Sequence, residues 1–140
     1  MTINEVQDNI IDEFSFFDDW MDKYNLLIDL GKELPIIDPK FKVTDFLIEG
    51  CQSKVWLHPD YDGEIITFTA DSDAIITRGI VALLIKVLSN RTLEEILSSD
   101  LYFIEKIGLR QHLSPTRSNG LLSMVRQMKL YAMAFDAKNK

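Results

Sequence analysis

The stretch KVWLHPDYDGEIITFTA, residues 54–70, decides the fold class of this chain. Its two ends, residues 54–58 and 64–70, are short and rich in β-branched and aromatic side chains, which is typical of strands. Between them, residues 59–63 combine Pro, Asp and Gly, the composition of a turn. Residues 43–48 resemble the two ends in composition. We therefore predict three strands of a small antiparallel sheet.

The residues before this sheet predict a helical hairpin. Thr2 and Glu5 have the spacing of a capping box, in which each side chain satisfies a free backbone donor at the start of a helix. Apolar residues then recur with a helical period. Asp18 or Asp19 is suited to cap a second helix, which we expect Gly31 to end.

The residues after the sheet return to a helical pattern. Residues 71–73, Asp-Ser-Asp, predict the cap of a helix that runs to about Leu88. Residues 92–95 again have capping-box spacing, and residues 102–107 predict a further short helix. Ser114, which is followed by proline, predicts the start of the last helix. The strands and the helices around them indicate an α+β fold.

Length and composition are those of one ordinary globular domain, residues 1–140, with 46% hydrophobic and 26% charged residues. The longest apolar run, residues 80–85, is too short to span a bilayer, and no secretion signal opens the chain. A single cysteine excludes an intramolecular disulfide and fits a reducing compartment. We therefore expect a cytoplasmic protein that is not inserted in a membrane.

Charge is unevenly distributed over the chain, whose net charge is −7. Residues 1–38 carry ten acidic and two basic side chains, whereas residues 105–140 carry seven basic and two acidic ones. The acidic segment is either a solvated face or a surface that steers a protein partner. The overall negative charge repels phosphate, so nucleic acid is not an expected partner.

The only cysteine, Cys51, lies between Gly50 and the pair Gln52 and Ser53. A cysteine is either a small packed hydrophobe or, when accessible as a thiolate, a nucleophile and sulfur carrier. Its glycine and small polar neighbours predict an exposed turn. The main functional question of the sequence is therefore whether Cys51 takes part in chemistry or only packs.

Other kinds of site have weak support. Cys51, His58 and His112 are the only strong metal ligands and show no ligand spacing, so no metal site is predicted. Glycine-rich phosphate loops are absent from the sequence. A cysteine hydrolase would use Cys51 with His58 or His112 as base, oriented by an acid such as Asp73, but no local spacing supports that triad. A non-catalytic adaptor with a packed thiol is a third possibility.

Arg117 lies in the polar segment LSPTRSNG, residues 113–120. This segment is either the entrance of the last helix or a place from which the planar guanidinium reaches an anion or a partner carboxylate. The residues alone leave both interpretations open.

Three segments together resemble one family, the SufE-type sulfur acceptors of iron–sulfur cluster assembly. They are GCQSKVW at 50–56, DSDAIITRG at 71–79 and LSPTRSNGL at 113–121, and they occur in the order found in the family. The resemblance spans nearly the whole chain. It implies a SufE/IscU-like fold: a single α+β domain with a small antiparallel sheet packed by helices.

The resemblance also implies a function. Cys51 would accept sulfur from the persulfide of a SufS-type cysteine desulfurase, stimulate that enzyme, and pass the sulfur to a SufBCD-type scaffold complex. The pyridoxal phosphate (PLP) would belong to the desulfurase, so that this chain needs no cofactor or metal of its own. No particular oligomeric state is implied. The candidates for holding the cysteine loop or contacting the desulfurase are Gly50, Gln52, Ser53, Asp73 and Arg117. For Asp73, a helix cap is an equal alternative.

Overall fold

The computed structural model describes residues 1–138; Asn139 and Lys140, the latter counted above in the basic C-terminal segment, lie outside the described residues. Residues 1–138 form seven α-helices and a three-stranded antiparallel sheet, which confirms the predicted α+β class. The elements are α1 Ile3–Ser15, α2 Trp20–Lys32, β1 Val55–Tyr61, β2 Ile65–Ser72, α3 Ile75–Leu88, β3 Arg91–Thr92, α4 Leu93–Ser98, α5 Phe103–Lys106, α6 Leu109–His112 and α7 Pro115–Lys138.

The sheet has the order β1-β2-β3. Strands β1 and β2 form a hairpin paired from Val55–Ser72 to Tyr61–Ile66. The turn predicted at 59–63 is shorter than expected, because β1 continues through Tyr61. The Asp62 carboxylate then accepts hydrogen bonds from the backbone N–H groups of residues 64 and 65, at 2.9 Å each, and closes the turn.

The strand predicted at 43–48 is wrong. Residues Thr44–Phe46 form a 3-10 turn, and only Leu47 makes a bridge, to Trp56. The reason is local: the N–H groups of Phe46 and Leu47 bond to the carbonyls of Val43 and Thr44, so they are not available to a strand ladder. The third strand is instead the two-residue β3, which pairs with the start of β2.

Three predicted helix starts are confirmed. The Thr2 hydroxyl accepts from the Glu5 N–H at 3.1 Å while the Thr2 N–H donates to the Glu5 carboxylate at 3.0 Å. Thr92 and Glu95 form the same reciprocal pair at α4. Asp19 caps α2 by accepting from a backbone N–H at 3.0 Å. These caps satisfy donors that a helix cannot satisfy internally.

Gly31 does not end α2, which runs on to Lys32. Its role is close packing: a Cβ added at Gly31 would lie 2.9 Å from the backbone nitrogen of Gly79 in α3. A Cβ at Gly79 would in turn lie 2.2 Å from the carbonyl oxygen of Leu27 in α2. The two glycines therefore let the backbones of α2 and α3 approach where side chains would collide.

The core is organised around α3, which packs against α1, α2, α7 and β2. Its buried side chains, such as Leu84, belong to one core with Leu57 and Phe68 of the β1–β2 hairpin. Helical residues from both ends of the chain, including Phe14 and Met128, complete that core. This packing fixes the first turn of α3 beside the loop that precedes β1. Within residues 1–138 no helix combines the length and apolarity needed to cross a membrane.

Candidate functional site

Cys51 lies at a surface cavity of about 310 Å³. One wall is the cysteine loop, residues 49–54, which contributes Gln52 and Ser53 as well as Cys51. Thr77 from the first turn of α3 and Arg117 from the start of α7 line the other walls. We call this space the cysteine cavity. Three of the five residues expected to support Cys51, namely Gln52, Ser53 and Arg117, therefore surround the same space.

The thiol of Cys51 points inward. Its Sγ–H donates to the carbonyl oxygen of Gly120 in α7 at 3.6 Å, and the side chain is half-buried although Gly50 and Gln52 are exposed. The predicted exposed turn thus applies to the loop but not to the thiol. Burial raises the pKa of Cys51, because removal from water disfavours the thiolate. A carbonyl only accepts hydrogen bonds, so the contact with Gly120 also favours the protonated thiol.

The C-terminal end of the cysteine loop is held at Lys54. Its N–H donates to the Asp73 carboxylate at 3.0 Å, and its carbonyl accepts from the Ser72 hydroxyl at 2.8 Å. The helix cap predicted for residues 71–73 is therefore wrong: α3 starts at Ile75, after Ala74, which provides no side-chain cap. Because β2 ends beside the loop, the Ser72 and Asp73 side chains bond to the backbone of Lys54 instead.

The N-terminal end of the loop is held by close packing on α7. Gly50 has φ +89, a conformation that favours glycine, and a Cβ there would lie 2.4 Å from the Ser123 hydroxyl oxygen. Gly50 and Cys51 thus contact Ser123 and Gly120, which are three residues apart on one face of the helix. The loop is fixed at both ends, and between them the Cys51 thiol makes its contact with α7.

Arg117 is exposed at the rim of the cysteine cavity. Its backbone N–H donates to the Ser114 hydroxyl at 3.2 Å, which supports the predicted helix start. Among the described residues its guanidinium has no hydrogen-bond or ion-pair partner. A guanidinium in that state offers directional donors to an anion that enters the cavity or to a partner's carboxylate.

His58 is engaged away from Cys51. Its ring stacks on Phe41 at 3.5 Å between centroids and meets Phe46 edge-on at 4.8 Å. Burial lowers the pKa of His58, and the charge of Lys40 lowers it further against the opposing effect of Asp60. His58 is therefore a packed aromatic side chain on the outer side of β1.

His112 is engaged in a different cluster. Its ring stacks on Trp20 at 3.9 Å, its Nδ1 donates to the Gly108 carbonyl at 2.9 Å, and its own carbonyl accepts from the Tyr24 hydroxyl. Neither His58 nor His112 lines the cysteine cavity within residues 1–138. A cysteine hydrolase would need such a base next to the thiol, so the geometry does not favour that alternative.

Sequence reasoning did not include several residues of the site, among them Gly120, Thr77 and Ser123. Thr77 lines the cavity although it is otherwise buried, and Ser123 supports Gly50. The available signal for Thr77 was a polar residue in the largely apolar helix α3, whereas nothing near Ser123 distinguishes it from a surface serine. No group of three or more His, Cys, Asp or Glu side chains within residues 1–138 is arranged to hold a metal ion.

Comparison with known proteins gives a consistent result. Residues 8–132 match the family model SufE, described as an Fe-S metabolism associated domain. An uncharacterized SufE-like protein of Rhizobium meliloti (strain 1021) is 43% identical over 127 residues, which are 87% of this chain and 91% of that protein. A SufE-like protein of Rhizobium etli is 44% identical over 87% of this chain and 86% of its own length.

A plant relative and a solved structure extend the comparison. SufE-like protein 1, chloroplastic/mitochondrial, of Arabidopsis thaliana is 41% identical over 84% of this chain, which corresponds to 32% of that longer protein. The solution structure of a hypothetical protein from Thermus thermophilus superposes with a TM-score of 0.76 over 92% of this chain and 94% of that one. At 17% identity, that likeness concerns the fold. On the family model and the close relatives, this chain belongs to the SufE family and has a role in iron–sulfur metabolism.

Proposed function

We propose that this chain is a sulfur carrier that accepts persulfide sulfur on Cys51 from a PLP-dependent cysteine desulfurase. The observation that carries the proposal is the single thiol of the chain at a surface cavity, with an arginine at its rim whose guanidinium has no partner within residues 1–138. No second thiol is present to resolve a persulfide into a disulfide. Membership of a family associated with Fe-S metabolism supports the same conclusion.

The transfer step is an exchange at sulfur. The Cys51 thiolate attacks the outer sulfur of the donor persulfide, so a new Sγ–S bond forms while the donor's S–S bond breaks. The donor cysteine leaves as a thiolate, and the terminal sulfur of the new persulfide carries the proton or the negative charge. No net oxidation occurs, and therefore this chain needs no oxidant, metal or cofactor for the step. PLP would act in the desulfurase, which generates the donor persulfide.

The resting state of Cys51 explains why a partner is needed. Burial and the Gly120 carbonyl both favour the neutral thiol, which is a poor nucleophile. To attack the donor's sulfur, Cys51 must lose its proton and with it the hydrogen bond to Gly120. A docked desulfurase would supply both the displacement and the proton acceptor, and removal of its sulfur would stimulate its turnover.

The later steps follow the same chemistry. The loaded Cys51 persulfide would pass its outer sulfur to a thiol of an iron–sulfur scaffold complex and return to the free thiol. In this proposal the protein acts in the cytoplasm as a sulfurtransferase-like carrier rather than as a self-contained enzyme. Gln52, Ser53 and Arg117 would shape the space around the added sulfur, while Gly50 and Asp73 would hold the loop.

Intact mass spectrometry tests the proposal. The wild-type chain is incubated with the cysteine desulfurase of its source cell, PLP and cysteine, and then weighed without reductant. We expect a gain of one sulfur atom that reductant removes and that Cys51→Ser lacks. If wild type gains no sulfur, or if Cys51→Ser gains it equally, Cys51 is not the acceptor. Hydrolysis of an ester without any partner protein would instead support a cysteine hydrolase.

A further inference from the structure

A second cavity of about 310 Å³ lies beside the first turn of α3. One wall is apolar and is formed by residues 34–37 and Pro39, and the other is charged and contains Lys42, Asp71 and Arg78. Lys32 also lines the cavity but pairs with Asp29, which lies outside the lining. Arg78 directly follows Thr77, which lines the cysteine cavity. We call this second space the Lys42 cavity. Consecutive residues at the start of α3 therefore line the two cavities.

The charged wall of the Lys42 cavity has one carboxylate for two cations. Asp71 accepts from Lys42 Nζ at 2.9 Å through Oδ2, while its Oδ1 lies 3.1 Å from Arg78 Nε. The Arg78 Nε–H is buried, and its direction gives no hydrogen bond to Asp71 or to any other residue in the described range 1–138. The three side chains carry a net charge of +1 in a protein whose net charge is −7.

Hydrogen-bond donors are left over in this cluster. An ammonium has three N–H donors and a guanidinium has five. Within residues 1–138, Lys42 gives one to Asp71, and Arg78 Nη2 gives one to the Ser72 carbonyl at 3.0 Å. A second carboxylate in the cavity would balance the charge and receive the remaining donors.

The apolar wall indicates whether the carboxylate belongs to a small molecule or to a protein. Ile36, in the apolar wall, is 94% exposed. An apolar group of a ligand that packs against Ile36 would remove apolar surface from water, which is favourable. Free small carboxylates would use only the charged wall. An acidic side chain next to an apolar one, on the surface of another protein, uses both walls.

We propose that the Lys42 cavity receives an Asp or Glu side chain of the cysteine desulfurase when that enzyme docks over Cys51. This inference rests on the function proposed above. A partner that docks over the cysteine cavity would approach the start of α3, where Thr77 lines that cavity and Arg78 lines the Lys42 cavity. The acidic segment 1–38 repels a partner's carboxylates, whereas the positively charged Lys42 cavity attracts one of them. Arg78 also bonds to Ser72, whose hydroxyl holds the Lys54 carbonyl of the cysteine loop.

A matched pair of charge reversals tests this inference. Lys42→Glu places a negative charge in the cavity, whereas Lys40→Glu makes the same change of net charge at an exposed lysine that pairs with Asp38 and does not line the cavity. The dissociation constant for the desulfurase is measured by titration calorimetry for both variants, and for Lys42→Arg. We expect Lys42→Glu to weaken binding about tenfold more than Lys40→Glu, and Lys42→Arg to bind within about twofold of wild type.

Two controls separate the possible outcomes. The rate of Cys51 alkylation in the free variants shows whether the cysteine loop is unchanged, and we expect equal rates. If Lys42→Glu and Lys40→Glu weaken binding of the desulfurase equally, the attraction depends on overall charge and the inference is wrong. The inference is also wrong if neither variant weakens binding. If the wild-type chain binds the desulfurase but gains no sulfur, the carrier function is refuted. The comparison of Lys42→Glu with Lys40→Glu would still show whether the Lys42 cavity takes part in binding.

Discussion

The Sγ atom of Cys51 lies 3.6 Å from the carbonyl oxygen of Gly120, a residue 69 positions further along the chain. This contact makes the thiol a hydrogen-bond donor to a helix backbone in the free protein. A thiolate or a persulfide has no proton on Sγ to donate, so either form loses this bond. The contact is therefore available only to the protonated thiol.

The pH dependence of Cys51 alkylation should reveal the buried thiol. Because burial raises its pKa, we expect the rate with iodoacetamide to rise about tenfold per pH unit and to level off only above the ordinary thiol value of about 8.5. The rate is followed by intact mass between about pH 6 and pH 10. The chain unfolded in urea serves as control and should react as an ordinary thiol. Levelling off below the ordinary value would mean that the fold stabilises the thiolate.

Asp73→Ala should loosen the cysteine loop. The substitution leaves the Lys54 N–H without its acceptor, and a lost hydrogen bond of this kind lowers the free energy of unfolding by about 1 kcal/mol. We also expect Cys51 to be alkylated several times faster, because its loop is less firmly held at Lys54. Asp45→Ala, at an exposed aspartate in the turn 44–46, is the matched control. Unchanged alkylation together with unchanged stability would show that the contact does not hold the loop.

Gly120→Ala should increase the stability of the fold and at the same time slow sulfur transfer to Cys51. Alanine stabilises a helix interior by about 0.5–1 kcal/mol relative to glycine. The added Cβ would lie 3.5 Å from Cys51 Sγ, which is ordinary contact, so no clash offsets that gain. The same methyl group reduces the space for an added sulfur, and we therefore expect slower loading in the intact-mass assay. Equal loading of Gly120→Ala and wild type would mean that this part of the cavity is not used.

The same substitution at Gly79 should destabilise the fold, in contrast to Gly120→Ala. Its Cβ would lie 2.2 Å from the Leu27 carbonyl oxygen, so α2 and α3 must separate, and we expect a loss of about 1–3 kcal/mol in the free energy of unfolding. Thermal unfolding of both alanine variants makes the comparison. Similar stability changes at Gly79 and Gly120 would show that the helix crossing adapts without strain.

Asp71 should make the stability of the fold depend on acid pH. Burial opposes its ionisation, but the hydrogen bonds from Lys42 and the Ser72 N–H, with the charge of Arg78, hold its pKa below the usual value. A lowered folded-state pKa adds stability above the unfolded value of about 4, and that stability is lost as the pH falls through the folded value. We expect Asp71→Asn to lower the free energy of unfolding by about 2 kcal/mol at neutral pH.

Measurements of stability at acid pH provide the control for this prediction. The difference in unfolding free energy between wild type and Asp71→Asn, measured by urea titration, should shrink as the carboxyl is protonated in both states. Asp45→Asn should show no comparable difference at any pH. A constant difference between wild type and Asp71→Asn down to acid pH would mean that the carboxylate charge is not what stabilises this cluster.

Helix starts were predictable because capping is a local interaction. Thr2 and Glu5 are three residues apart, and so are Thr92 and Glu95, so the partners meet in any chain that begins a helix there. The same locality made residues 54–58 and 64–70 recognisable as a hairpin. The motif around Cys51 was equally readable, since its neighbours are neighbours in sequence.

The errors have a local cause in one case and a distant one in the other. Residues 43–48 have the composition of a strand, but the N–H groups of Phe46 and Leu47 bond within a local turn, and β3 is the segment that pairs with β2. Asp73 has the chemistry of a cap, yet the end of β2 places its carboxylate beside Lys54. A short polar side chain bonds to the nearest free donor, and the fold decides which donor that is.

By itself the sequence determined the α+β class, the helix caps at Thr2, Asp19 and Thr92, the family and the single cysteine, because each depends on residue types at short spacings. Only the tertiary structure decided that the Cys51 thiol turns inward onto Gly120, that Arg117 lines the same cavity, and that Lys42 and Arg78 share a second one. These residues lie on separate elements, and their distances follow from how α7 and the hairpin pack against α3. Burial and packing arise from the whole chain at once, and no short segment contains them.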